Sequence, residues 1–107
     1  MEGKKKENNM EEGAVYQISC QDCEKIYIGE TKFTMRKRIE QHKKDVKFGR
    51  KNNIIAKHVE ESSHQIDWDK TICLKKEKRL YPRKILESAY IKENRRRSMT
   101  LNETGRV

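Results

Sequence analysis

Long apolar runs are missing from this chain. No stretch approaches the roughly 18 residues that a membrane span requires, and no signal-peptide core follows Met1. The expectation is a soluble, intracellular protein with no membrane partner, nuclear if its source is a eukaryote. Proline occurs once, as Pro82, and glycine five times, so there is no Pro/Gly/Ser-rich linker to divide the chain. Nor are there internal repeats. Cysteine numbers three, an odd count that suits a reducing compartment better than a disulfide framework. Hydrophobic residues make up only 33% against 40% charged, a balance that by itself points toward disorder. Their placement argues otherwise, because they gather in periodic segments and only the ends of the chain lack them.

Acidic residues are the minority charge. Lys and Arg number 26 against 17 Asp and Glu, a net charge of +9, and the pI is near 9.6. An acidic partner is expected, a polyanion such as DNA or RNA being the commonest, although ribosomal and membrane-surface proteins share this balance. At 107 residues there is room for one domain whose small core would gain from an added cross-link. Residues 1–12 read as a flexible charged leader. Lys4, Lys5 and Lys6 in it would help to hold DNA or serve as a nuclear address, or simply be solvated. Residues 13–104 read as the domain and 105–107 as a tail.

Val15, Ile18, Ile26 and Ile28 are β-branched and closely spaced, which predicts two short strands near 14–20 and 25–29. With the turn centred on Gln21-Asp22, Tyr16 faces Tyr27 and Cys20 faces Cys23. Tyr16, Ile18, Cys20, Cys23 and Tyr27 then share one face. Thr34 is a suitable N-cap for a helix over 34–48 that Gly49 stops. Its Met35, Ile39, His42 and Val46 form an inward stripe, and Arg38 and His42, four apart, lie on one flank. Arginine there can grip a phosphate through a bidentate fork, or be merely solvated. Asn52 or Asn53 caps a second helix over 52–61 with Ile54, Ile55, His58 and Val59 inward. Gln65 to Cys73 suits a third strand, near 66–74, and a last helix over 81–95 has Pro82 in its first turn. Ile85, Leu86, Ala89, Tyr90 and Ile91 would supply its buried side. The class is α+β, a small three-stranded antiparallel sheet flanked by helices.

Two constellations carry chemistry. Cys20-x2-Cys23 and His58-x5-His64 supply two thiolates and two imidazoles, a complete tetrahedral set for zinc. Free thiols beside a buried histidine are the plainer alternative. Cys73 is left over as a core residue. The second feature is Glu87, a carboxylate amid apolar neighbours, which needs either a basic side chain or a divalent cation. The run Arg95-Arg96-Arg97 after it would touch phosphates or form a solvated turn.

The tripeptides Ala14-Val15-Tyr16 and Tyr27-Ile28-Gly29, the ten residues between their tyrosines, and Arg38 with His42 beyond them resemble the GIY-YIG nuclease domain. The likeness runs from about Gly13 to Asn102. It departs where the first tripeptide reads Ala-Val-Tyr, at positions that are strand rather than chemistry. The cysteine and histidine pairs resemble the branch found in Penelope-like retroelements, which implies a structural zinc at Cys20, Cys23, His58 and His64. The resemblance further implies a catalytic Mg2+ or Mn2+ on Glu87, Tyr16 as general base with His42 as an alternative, and Tyr27 ordering the water. Arg38 would stabilise phosphoryl charge, and Asn102 would help to organise the site. Hydrolysis of DNA would leave 5′-phosphate and 3′-hydroxyl ends. A nick of that kind gives a reverse transcriptase, fused or separate, an end to extend at a retroelement's target site.

Three functions compete on this sequence. One is a metal-dependent DNA endonuclease. Another is a zinc-stabilised nucleic-acid-binding module without catalysis. The third is a small basic structural protein, which would leave Glu87 without a purpose.

Overall fold

The structure, a computed structural model, describes residues 11–99. Asn102, Lys4 to Lys6 and the 105–107 tail lie outside the described residues. Strands β1 (Glu12–Cys20) and β2 (Ile26–Thr34) form the hairpin, followed by helices α1 (Met35–Lys47) and α2 (Ile54–Ser62). Strand β3 (Ile66–Lys76) and helix α3 (Leu80–Glu93) complete the order. The sheet runs β2-β1-β3 with both pairings antiparallel, the α+β arrangement expected. Glu12, expected in the leader, already belongs to β1.

Alternation along β1 divides the core. Ala14, Tyr16, Ile18 and Cys20 pack with Met35, Ile55, Ile66 and Met99 on one face. Val15, Ile26 and Ile28 pack with Leu74 and with Leu86, Tyr90 and Ile91 of α3 on the other. Each such side chain removed from water contributes about 1.5–3 kcal/mol, which is how a chain this charged sustains a core. Caps fix both helix starts that flank the site. The Thr34 hydroxyl accepts from the Lys37 N–H at 3.1 Å, and the Asn53 amide oxygen accepts from Ile55 and Ala56 at 2.9 and 3.2 Å.

The hairpin register differs from the expected one by two residues. Tyr16 pairs with Gly29, and Ile18 with Tyr27. Pairing ends where the Cys20 N–H bonds the Lys25 carbonyl, leaving residues 21–24 as the turn, because the N–H groups of Asp22 and Lys25 point at the two sulfurs instead. A slip of two keeps every side chain on its face. The tyrosines therefore stay together, and Gly29 lies beneath Tyr16. A Cβ at Gly29 would sit 2.6 Å from the Tyr16 oxygen and 2.6 Å from Tyr27 Cε2, so the glycine is required by close approach.

Strand β2 also continues through Gly29-Glu30-Thr31 to Thr34, and Ile72 within β3 is half exposed. On α3 the expected inward face is partly wrong. Ile85 is 68% exposed and Ala89 is exposed, whereas Arg83 is buried. Arg83, Leu86 and Tyr90 recur at helical spacing, and Arg83 can occupy that face because Glu30 of β2 meets its Nε at 2.5 Å. The guanidinium also donates to the Lys78 carbonyl at 2.9 Å, which satisfies a charge too costly to bury alone. The segment after α3 returns to the hairpin. Ser98 bridges Ile26 in parallel, and Arg97 donates to the Glu24 carbonyl at 3.1 Å. At least this arginine of the basic run thus fastens the chain end to the outer edge of β2.

Candidate active site and metal centre

Tyr16, Tyr27 and His42 form one aromatic cluster. The two phenol rings are 6.2 Å apart between centroids, and the His42 ring stands edge-on to both, 5.8 Å from Tyr16 and 5.2 Å from Tyr27. His42 Nε2 lies 2.8 Å from the Tyr16 oxygen, and its Nδ1 lies 3.0 Å from Asn53 Nδ2. The even spacing on β1 and β2 puts both phenols on the sheet face that α1 covers, and α1 carries Arg38 and His42 over them one turn apart.

The cluster is graded from sealed to open. Tyr16 and His42 are 0% and 1% exposed. Tyr27, by contrast, lines an open pocket of about 280 Å³ together with Arg38, His42, Asp45, Asn52, Asn53 and Ile54. The Tyr16 oxygen is packed over Gly29 and against His42, whereas Tyr27 fronts open space.

Electrostatics follow this layering. Burial, with Tyr27 adding to it, raises the Tyr16 hydroxyl well above an ordinary tyrosine, although Arg38 opposes the shift. Burial raises Tyr27 as well, the Arg38 charge opposing the rise and the Glu87 charge adding to it. Burial, then the neighbouring Arg38 charge, lowers His42 to about 4, so the ring is neutral near pH 7. A depressed tyrosine is absent from this site as it stands. Making either phenol a base requires added positive charge.

Glu87 lies on α3, whose Leu86, Tyr90 and Ile91 pack on the other face of the sheet, and its charge adds to the rise of Tyr27. Among the described residues it makes no hydrogen bond or ion pair. Burial raises its carboxyl, and the Glu30 charge raises it further, against Lys84 and Arg83. Glu30 is better satisfied. Against the cost of burial, hydrogen bonds from Arg83 and Lys84 hold its carboxyl low, with Lys84 Nζ at 3.1 Å. A half-buried carboxylate beside Glu30, with no basic side chain bonded to it among the described residues, is a donor that fits a hard divalent cation. Sequence reasoning missed Glu30 and the buried role of Arg83, because a strand residue and a helix residue more than fifty positions apart carry no local pairing signal.

At the other end of the same face, Cys20, Cys23, His58 and His64 bring their ligand atoms within 4.8 Å of one another. Cys20 Sγ lies 3.5 Å from His64 Nδ1, and Cys23 Sγ lies 3.7 Å from His58 Nε2. Zinc bonds of about 2.3 Å to sulfur and about 2.0–2.1 Å to nitrogen, at tetrahedral angles, put such pairs about 3.6 Å apart. The donor set and its edges therefore fit zinc. The N–H groups of Asp22 and Lys25 point at the two sulfurs from 3.4 and 3.5 Å. Ser63, with φ at 62°, ends α2 in the left-handed region and turns His64 back beside His58, their rings 5.4 Å apart.

No helix among the described residues is long and apolar enough to cross a membrane. Comparison with curated proteins finds no match, and comparison with solved structures finds none. Comparison with family models gives one finding: the GIY-YIG catalytic domain matches residues 12–102.

Proposed function

Because the chain belongs to the GIY-YIG family of catalytic domains, a nuclease family, we propose that it is a metal-dependent DNA endonuclease. The observation that carries this reading is the meeting of Tyr27, Arg38 and His42 at one open pocket. Its products would be 5′-phosphate and 3′-hydroxyl ends, and one such site makes a nick.

Magnesium or manganese held by Glu87 would supply Lewis-acid neutralisation of charge on the scissile phosphate and its leaving oxygen. Arg38 holds the phosphoryl oxygens and offsets the charge that grows on them. Tyr27 receives the proton of the attacking water at its phenolic oxygen, the Arg38 charge favouring its ionised form. Tyr16 stands behind it as hydrogen-bond donor. Zinc on Cys20, Cys23, His58 and His64 would be structural, since four protein ligands leave no open position.

We further propose that the nick serves target-site cleavage by a retroelement, with a reverse transcriptase, fused or separate, extending the 3′-hydroxyl. The basis is the paired cysteines and histidines together with the family's chemistry. The net charge of +9 supports binding through the phosphate backbone. The test is nicking of supercoiled plasmid with Mg2+ or Mn2+. Wild type should nick, and Glu87→Gln should bind DNA unchanged but lose nicking by roughly a hundredfold or more. DNA binding without nicking by the wild type, zinc present, would instead make it a binding module.

A further inference from the structure

The N-cap of α2 does more than start a helix. Asn53 Oδ1 accepts from two backbone N–H groups, which can only donate, so the amide orientation is fixed. Its Nδ2 is then the group at 2.7 Å from Asp45 Oδ2 and 3.0 Å from His42 Nδ1. Turning the amide over would set two oxygens against each other at Asp45 and two donors against each other at the helix start. One N–H of Asn53 therefore goes to Asp45 and the other to His42 Nδ1. Asp45 is itself held by Gln41 and Arg50, each at 3.1 Å.

We infer that Asn53, oriented by Asp45 and by the first turn of α2, fixes the proton of His42 on Nε2 and so makes the ring a hydrogen-bond donor to the buried Tyr16 oxygen. A neutral imidazole has one donor and one acceptor nitrogen. With Nδ1 accepting from Asn53, Nε2–H donates to the Tyr16 oxygen at 2.8 Å. The Tyr16 oxygen accepts that proton and must direct its own O–H away from the ring. The chain Asn53, His42, Tyr16 thus places a donor on the buried phenolic oxygen, and favours negative charge there. His42 has no lone pair left for Tyr16, which excludes it as the base. Asn53 is a positioning residue. The neutral state that the scheme needs agrees with the low value of His42.

The activity arm of this inference rests on the nuclease reading, and its spectroscopic arm does not. The full chain, labelled with nitrogen-15 at histidine, is examined by long-range proton–nitrogen spectra, His42 being assigned by His42→Gln. Wild type should show His42 protonated at Nε2 only; protonation at Nδ1 overturns the inference. The double variant Asn53→Asp with Asp45→Asn exchanges acceptor and donor while keeping net charge, the helix cap and the 45–53 hydrogen bond. The new carboxylate at 53 accepts from His42, so the ring proton should move to Nδ1. Nicking should then fall roughly a hundredfold. A moved proton with nicking unchanged or raised would mean that His42 takes a proton from Tyr16, and would overturn the direction of the chain. Asn53→Ser keeps a capping oxygen but offers no amide donor, and should show both tautomers with an intermediate loss. A single unchanged tautomer in it would also overturn the inference. If wild type fails to nick, the nuclease reading fails while the spectra still decide the tautomer.

Discussion

Stripping zinc from the Cys20, Cys23, His58 and His64 cluster, whose donor set fits that ion, should cost a large part of the stability. Cys23 on the hairpin and His58 on α2 are 35 positions apart in sequence, and no covalent bond other than the backbone joins these elements. Treated as a cross-link closing a loop of that length, the metal removes about 4 kcal/mol of chain entropy from the unfolded state. Domains have only about 5–15 kcal/mol in all. At roughly 4–8 °C per kcal/mol for a chain near this size, the melting temperature should drop by roughly 15–30 °C. The assay is thermal unfolding of zinc-loaded and chelator-treated protein, followed by circular dichroism, with metal content measured on the same samples. Cys73→Ser should leave one zinc per chain, whereas Cys23→Ser should lower both zinc content and melting temperature. A metal-free protein melting within a few degrees of the loaded one would refute the reasoning, since the four side chains would then be held by packing alone.

Three further outcomes follow from the same contacts. Gly29→Ala places a methyl 2.6 Å from the Tyr16 oxygen and should cost about 1–3 kcal/mol in urea unfolding, with nicking reduced because Tyr16 is pushed off His42. Arg83→Ala strands Glu30 beside Lys84 alone and should cost about 3 kcal/mol; a loss under about 1 kcal/mol would show the pair to be worth no more than a surface bridge. His42 has a folded value of about 4 against 6.5 for the free side chain, so the unfolded chain binds the extra proton between those values. Its contribution, about 3 kcal/mol, is therefore present above pH 6.5 and lost as the pH falls toward 4. His42→Gln should flatten the stability profile in that window by about one proton, and an unchanged slope would show that His42 is not buried neutral.

Much of this arrangement was legible because its signals are local. Thr34 and Asn53 announce helix starts through short polar side chains that reach their own backbone, and both cap as expected. Tyr16 and Tyr27 share a face under any register that differs by an even number. The cysteine and histidine spacings matched a hairpin knuckle and a helix end. What failed was of another kind. The hairpin slipped by two because the turn amides serve sulfurs, a preference that strand propensity does not contain. Ile85 was expected in the core and is exposed, and the buried Arg83 went unread because the bonded partner that lets an arginine be buried sits on β2.

The amino-acid order alone settled the α+β class, the helix starts, the shared face of the phenols and the identity of the four soft ligands, since each depends on periodicity or on contacts a few residues long. Only the tertiary structure decided which tyrosine lines the open pocket, which carboxylate is paired and which makes no ion pair among the described residues, and how Asn53 is turned toward His42. Those outcomes depend on burial and on hydrogen bonds between elements distant in sequence, and desolvation is a property of the packed molecule rather than of any segment of it.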